Sequence, residues 1–405
     1  MIKRVAYLSM HTSPLVQPGS GDAGGMNVYI DQLSRTMAGR GVEVEVFTRR
    51  TDHDDPEVVD VVPGYRVIHV DAGPPHPIPA SSLPRYVRTF AKAVETRLRP
   101  NPPQILHSHY WLSGWAGLLV KRSLRIPLAN SFHTLGRVKE GSRRPDDPPE
   151  SLLRIAAEHE VIEGSDCVMA STPAEAAELL EHYGADPNRL CTSPPGVDHR
   201  VFRPGSQRSA RRRLGLGPGL VLLFVGRIQP LKGVDLLLEA FGRIESIHPE
   251  ATLLIVGGPS GPNGRQELLA LRQRAVALGV IGRIKFYRPL PHGLLADFYR
   301  AADVVVVPSR AESFGLVAAE AQACGTPVVA AKVGGLVYVV DDGVTGILVA
   351  GWNPADYAEV LDRLLSDEGL RTKMGEASVI WAKRFSWDAT VRRYLELYKG
   401  VLVSG

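Results

Sequence analysis

The chain has 405 residues, of which 44% are hydrophobic and 22% charged; this is too long for one typical core, so two domains are expected. The formal net charge of +4 is small for this size, which argues against a dedicated nucleic-acid binder and slightly favours anionic ligands. Cys167, Cys191 and Cys324 stand far apart with no C-x-x-C, which reads as buried thiols in a cytoplasmic protein; Val5 to Met10 is too short for a signal peptide, and no stretch is long enough to span a membrane.

Arg4 to Met10 reads as a strand buried on both faces. A glycine-rich loop, His11 to Asn27, leads to a helix over Val28 to Gly39 and a strand over Glu43 to Thr48, a βαβ unit that opens a parallel sheet. The loop holds a literal G-x-G-x-x-G at Gly19, Gly21 and Gly24. In the dinucleotide fingerprint the first glycine follows the strand directly. Here His11 to Pro18 intervene, and the second strand ends in Thr48-Arg49-Arg50 rather than an acid. Those arginines leave open an NADP reading through a 2′-phosphate. The better reading centres on Gly24-Gly25, which lets the backbone approach a phosphate or sugar with its amides pointing at it.

A strand at Tyr65 to Val70 and a helix over Arg85 to Leu98 follow. The strand Gln104 to His107 ends in His-Ser-His, with Tyr110 in the loop beyond. This is a strand's carboxyl end, where open α/β sheets build their sites. No third ligand is spaced for a metal, so His107 and His109 read as hydrogen-bonded structural residues. The strand Pro127 to Ser131 runs into His133-Thr134. A helix starting near Glu150 carries Arg154, whose planar fork suits a phosphate; taken alone it reads as a surface helix arginine. The strand Cys167 to Ala170 and the helix Pro173 to Tyr183 complete a first domain, 1–198. His199 to Gly219, with five arginines between 203 and 213, reads as the linker.

The second domain, 199–380, opens with a strand at Leu220 to Val225 leading to Arg227 and Lys232. These two cations, on a loop feeding a helix, can converge on a diphosphate and stabilise it as a leaving group. Strands at Thr252 to Val256 and Ile284 to Tyr287 run into GGPSGPNG and Arg288-Pro289-Leu290. After the helix Gly293 to Ala301 and the strand Val304 to Val307 comes SRAESFGLVAAEAQACG, Ser309 to Gly325. It reads as a loop and a helix over Leu316 to Ala323, before a strand at Val328 to Ala331. Glu312 and Glu320 are about two helical turns apart, so both can share a face. A carboxylate on a buried apolar helix is costly without hydrogen bonds. Ribose hydroxyls would supply them to Glu320, and the amides of Ser313 to Leu316 would suit a diphosphate. Helices over Pro354 to Phe385 and Trp387 to Leu402 close the chain.

PSRAESFGLVAAEAQACGTPVVA and GR-x4-KG resemble the family 4 retaining glycosyltransferases. HTSPLVQPG and GDAGGMNVY are similar to the mycothiol glycosyltransferases within that family. The resemblance spans essentially the whole chain and is strongest in 7–27, 105–114, 222–235 and 303–335. It implies an α/β GT-B fold, two doubly wound Rossmann-like domains with the active site in the cleft and 381–405 returning to the first domain. The implied reaction moves N-acetylglucosamine from UDP-N-acetylglucosamine to 1D-myo-inositol 3-phosphate, with retained configuration, as the first step of mycothiol synthesis. His11, Gln17, Pro18, Gly25, Arg227, Lys232, Leu290, Glu312 and Glu320 would face the donor. Asp22, Ala23, Gly24, Gly25, Met26 and Asn27, with Tyr110, Thr134 and Arg154, would face the acceptor. Catalysis would fall to Arg227, Lys232, Glu312 and His133. The resemblance further implies a structural Mg2+ on the carbonyls of Tyr299, Arg300 and Ala302, no cofactor for the chemistry, and a homodimer. One departure stands out: the family's phosphate-binding lysine falls on Ala80, and Arg85 or Arg88 would have to replace it. Another cyclitol or secondary-metabolite acceptor therefore stays open, as does a nucleotide-sugar or NADP-binding protein without turnover.

Overall fold

In the computed structural model, residues 1–19, 21–145, 147–261 and 263–404 are described; Ser20 of the glycine-rich loop, Pro262 of GGPSGPNG and the terminal Gly405 lie outside them. The strands are β1 (Arg4–Leu8), β2 (Glu43–Arg49), β3 (Val58–Val62), β4 (Tyr65–Val70), β5 (Ile105–His109), β6 (Leu128–Ser131), β7 (Cys167–Ala170) and β8 (Leu190–Thr192), then β9 (Val221–Val225), β10 (Thr252–Val256), β11 (Ile284–Tyr287), β12 (Val304–Val307), β13 (Val328–Ala331) and β14 (Gly346–Val349). The helices are α1 (Gly25–Ala38), α2 (Val87–Leu98), α3 (Trp111–Leu124), α4 (Gly136–Gly141), α5 (Leu152–Gly164), α6 (Pro173–Tyr183) and α7 (Gln207–Arg213), then α8 (Val234–Ile244), α9 (Gly264–Ala277), α10 (Leu295–Ala301), α11 (Leu316–Ala323), α12 (Leu336–Val339), α13 (Pro354–Ser366), α14 (Glu368–Ala382) and α15 (Trp387–Ser404).

The strands form two sheets, ordered β3-β4-β2-β1-β5-β6-β7-β8 and β11-β10-β9-β12-β13-β14. All pairings are parallel except β3 with β4. Helices cover both faces, which is why β12, four valines in a row, is buried throughout. On one face of the first sheet, α1 and α15 pack together, with Tyr29, Trp387, Tyr394 and Tyr398 in the core. The strand order reverses between β1 and β5 in one sheet and between β9 and β12 in the other. Ligands of open α/β sheets bind at such switch points, beyond the strands' carboxyl ends.

Several expectations needed correction. Helix α1 starts at Gly25, not Val28, because the Asn27 side chain accepts from the Gly24 amide at 2.9 Å and closes the first turn early. The helix expected over Pro354 to Phe385 breaks at Asp367, whose carboxylate caps the Leu370 amide at 2.8 Å. The arginine-rich segment is not a free linker: Arg211 pairs with Asp303 and Arg213 with Asp297, both at 2.6 Å. Of the three expected thiols, only Cys324 is free and buried. Cys167 and Cys191 form a disulfide on the neighbouring strands β7 and β8, with Cα atoms 6.1 Å apart. Sheet register brings them together, and their separation of 24 residues does not reveal it.

Side chains alternate along a strand, so His107 and His109 share one face of β5, turned toward α15. His107 is fully buried, with Nδ1 2.6 Å from the Tyr398 hydroxyl and Nε2 3.0 Å from Ser131 Oγ. Burial pushes the His107 pKa down to about 3 and the His109 pKa well below the ordinary value. Each histidine therefore stays neutral in the fold while the unfolded chain takes up a proton below about pH 6.5. Its stabilising effect is complete above that pH and is lost as pH falls, at about 1.4 kcal/mol per pH unit for each histidine. We predict that His107→Asn flattens the pH dependence of the urea-unfolding free energy between pH 6 and 4 by one proton; an unchanged slope would contradict this.

Candidate active site

The loops beyond β9 and β12, at the switch point of the second sheet, meet the loop after β6 of the first sheet around a cavity of about 290 Å³, whose walls include His133, Thr134, Arg227, Lys232, Glu312 and Ser313. Arg227 follows β9. Its Nη1 lies 3.3 Å from Ser260 Oγ and 3.4 Å from the Asp22 carbonyl, and it has no carboxylate partner among the described residues. Burial lowers its pKa. Lys232 Nζ is 2.6 Å from Glu312 Oε2. The residue after it must be glycine: Gly233 has φ +67°, and a Cβ there would lie 2.0 Å from the Pro308 carbonyl. Two cations on one cavity wall, only one of them neutralised, make an anion site.

The glycine-rich loop closes over Arg227. A Cβ on Gly24 would lie 3.1 Å from Arg227 Nε, and one on Gly25 3.6 Å from Leu316 Cδ1. Gly24 thus makes room for the guanidinium itself, a role the sequence did not suggest. The buried Asn27 side chain is spent within the loop: its Nδ2 donates to Thr12 Oγ1 at 2.8 Å and the Ser13 carbonyl at 2.7 Å. Ala23 is also buried, whereas Asp22 and Gly25 are exposed and Met26 is half-buried. Gln17 Nε2 donates to the carbonyls of Leu290 and, at 3.2 Å, Pro18. This joins the two halves at three of the anticipated donor positions.

His133 and Tyr110 occupy left-handed backbone, with φ of +60° and +76°, a strained conformation for non-glycine residues that clusters at functional sites. The His133 carbonyl accepts from Ser313 Oγ at 2.6 Å, and the Ser313 carbonyl from Thr172 Oγ1 at 3.3 Å, so the loop after β12 is pinned to the first sheet. The His11 and Tyr110 rings lie 4.4 Å apart. Arg154 is not a surface arginine. It is buried, 5.2 Å from the Tyr110 ring centre, and donates to Thr134 at both the carbonyl, 2.8 Å, and Oγ1, 3.2 Å. It is also paired with Glu158 at 2.8 Å and Glu150 at 3.1 Å. Tyr110, Thr134 and Arg154 do converge, but the charge of Arg154 is already partly met.

Glu312 and Glu320 do not share a face. The helix starts at Leu316, so Glu312 lies in the preceding loop. Glu320 is buried and bonded to His292 Nε2 at 2.6 Å and the Tyr299 hydroxyl at 2.8 Å. These donors, rather than ribose alone, satisfy the carboxylate that the apolar helix left unexplained; its remaining lone pairs are free for hydroxyls. Burial pushes the His292 pKa down, but the charge of Glu320 outweighs it and leaves the ring above its ordinary value.

The carbonyls of Tyr299, Arg300 and Ala302 fall at the end of α10. Two of them already accept hydrogen bonds, Tyr299 from the Thr326 hydroxyl at 2.6 Å and Ala302 from Gln207 Nε2 at 3.1 Å. A hard cation there would have to displace these donors. Arg49 and Arg50 hold no phosphate pocket: Arg49 donates to the carbonyls of Pro74, His76 and Arg50, and Arg50 pairs with Asp71. Arg85 and Arg88 are exposed, and Arg85 folds back onto the Ser82 carbonyl; neither lines the cavity. Sequence reasoning missed Glu178, Arg310 and Trp352, which do. Glu178 stands in an ordinary helical AEAAELLEHY stretch, and its pKa is raised to about 7 by burial.

Residues 24–196 match the model of a glycosyl transferase 4-like domain, and 206–380 that of glycosyl transferases group 1. The chain is a GT-B glycosyltransferase of this family. It is similar to D-inositol 3-phosphate glycosyltransferase 2 of Catenulispora acidiphila, 49% identical over 98% of this chain and 94% of that protein. The D-inositol 3-phosphate glycosyltransferase of Kribbella flavida is 48% identical, over 98% and 96%. Among solved structures, sucrose-phosphate synthase of Thermosynechococcus elongatus superimposes with a TM-score of 0.93, at 32% identity and full coverage of both chains. HepE of Anabaena, solved with UDP-glucose, shares the fold with a TM-score of 0.77 at 18% identity, over 98% of this chain and 99% of that one. No helix among the described residues of the glycosyltransferase is long and apolar enough to cross a membrane. We predict that Arg227→Ala and Lys232→Ala each lower kcat about 100-fold to 1,000-fold in a nucleotide-release assay; full activity of either variant would remove the cations from the chemistry.

Proposed function

We propose that the enzyme moves N-acetylglucosamine from UDP-N-acetylglucosamine to 1D-myo-inositol 3-phosphate with retained configuration, the first step of mycothiol synthesis, in the cytoplasm. The observation that carries the donor half is Arg227, a guanidinium without a carboxylate partner, in one cavity with Lys232. A diphosphate answers both cations, and their charge stabilises it as the sugar bond breaks. Glu320 takes the ribose hydroxyls, held in place by His292 and Tyr299. His133 hydrogen-bonds the sugar. Tyr110, Thr134 and Arg154 take the acceptor phosphate, a reading supported by the names of relatives nearly half identical along the whole chain.

The carboxylates of the cavity support retention without a covalent intermediate. Glu312 is tied to Lys232. Glu178, with a pKa near 7, is half protonated at neutral pH and a poor nucleophile. The departing diphosphate oxygen takes the acceptor's proton on the face the acceptor attacks. A magnesium ion at the end of α10 would only brace that helix.

A second reading, transfer to another cyclitol, is favoured by Ala80 and by the carboxylates already paired with Arg154. Nucleotide release with UDP-N-acetylglucosamine, comparing inositol 3-phosphate with free inositol, separates the two. The first reading predicts a preference of about 100-fold in kcat/KM for the phosphate, the worth of two charge-assisted hydrogen bonds. Equal rates, or turnover with neither, would assign a different acceptor.

A further inference from the structure

His109 plays no part in the mechanism above, yet it stands directly behind His133. It is fully buried, and its Nδ1 lies 3.0 Å from His133 Nε2. Its ring is stacked between His107 and His133, at centroid distances of 4.4 and 5.2 Å, with Tyr7 edge-on at 5.3 Å. Its other nitrogen, Nε2, is buried without a hydrogen-bond partner among the described residues. The backbone of His133 is fixed in the left-handed region, with its carbonyl accepting from Ser313.

We propose that His109 is a positioning residue that sets the tautomer of His133, so that His133 presents an Nδ1–H donor to the cavity. One proton lies between the two facing nitrogens, and two arrangements are possible for neutral rings. If His133 carried it on Nε2, His109 would carry its own proton on Nε2, as a buried N–H with nothing to accept it. Orphaned buried N–H groups are rare and costly. If His109 Nδ1 carries the proton and donates to His133 Nε2, the only defect is a bare lone pair. His133 then holds its proton on Nδ1, the nitrogen left for the cavity. Burial keeps both rings neutral, pushing His133 down to about 3 and His109 lower than its ordinary value. Behind metal-ligating histidines a partner that fixes the tautomer is a recurrent device, whose loss costs about 10-fold to 100-fold in metal affinity or activity, and the same size of effect is expected here.

The inference rests on His133 serving the transferase reaction, but its first test needs no substrate. Two-bond proton–nitrogen correlation spectra of the whole histidine-labelled enzyme, with His133 identified by its loss in His133→Gln, report the tautomer directly. The proposal expects His133 protonated at Nδ1; protonation at Nε2 would overturn it, whatever the acceptor. For activity, His109→Phe removes the donor, whereas His109→Asn places an amide N–H near the position of Nδ1. The expected result is a kcat 10-fold to 100-fold lower in His109→Phe at unchanged KM for the acceptor, with most of it recovered in His109→Asn. Equal losses in both variants, or none in His109→Phe, would make His109 a packing residue only.

Discussion

Arg227 is the constraint on which the site depends. A guanidinium that leaves water without a carboxylate is unfavourable in the empty protein, and the fold is arranged to tolerate it. Gly24 yields the space of a side chain, Ser260 and the Asp22 carbonyl offer acceptors at the limit of hydrogen bonding, and Lys232 shares the cavity. A ligand bearing two negative charges would relieve that cost on arrival.

Two sheets supply the geometry. Each reverses its strand order once. The first sheet contributes His133 and Thr134 to the cavity from the end of β6; the second contributes Arg227 and Glu312 from the ends of β9 and β12. Contacts between these loops, Ser313 with His133, Thr172 with Ser313 and Gln17 with Leu290, fix one half's site residues through the other. Behind the first sheet, α15 seals His107 and His109 in a tyrosine-lined core, where burial keeps both rings neutral.

Much of this was legible in the sequence. Apolar β-branched runs gave most strands to within a residue, and the spacing of Arg227 and Lys232 before Gly233 put both cations on one loop, where they line one cavity. What stayed hidden depended on tertiary neighbours. Helix α9 and strand β3 lack a clean apolar face and left no periodic signal. The Cys167–Cys191 pairing follows from register. The partners of Glu320, His292 and Tyr299, come from a different helix and turn, so sequence could show that the carboxylate needed donors without showing which. Glu178 resembles any helical glutamate until α6 is placed at the cavity.

The measurement that tests this account most directly is calorimetric binding of UDP against uridine to the unmodified enzyme. If Arg227 and Lys232 form an anion site waiting for a diphosphate, UDP should bind at least about 100-fold more tightly than uridine, from two charge-assisted contacts. Equal affinities would mean that the diphosphate contributes nothing and that the unpaired Arg227 serves some other purpose.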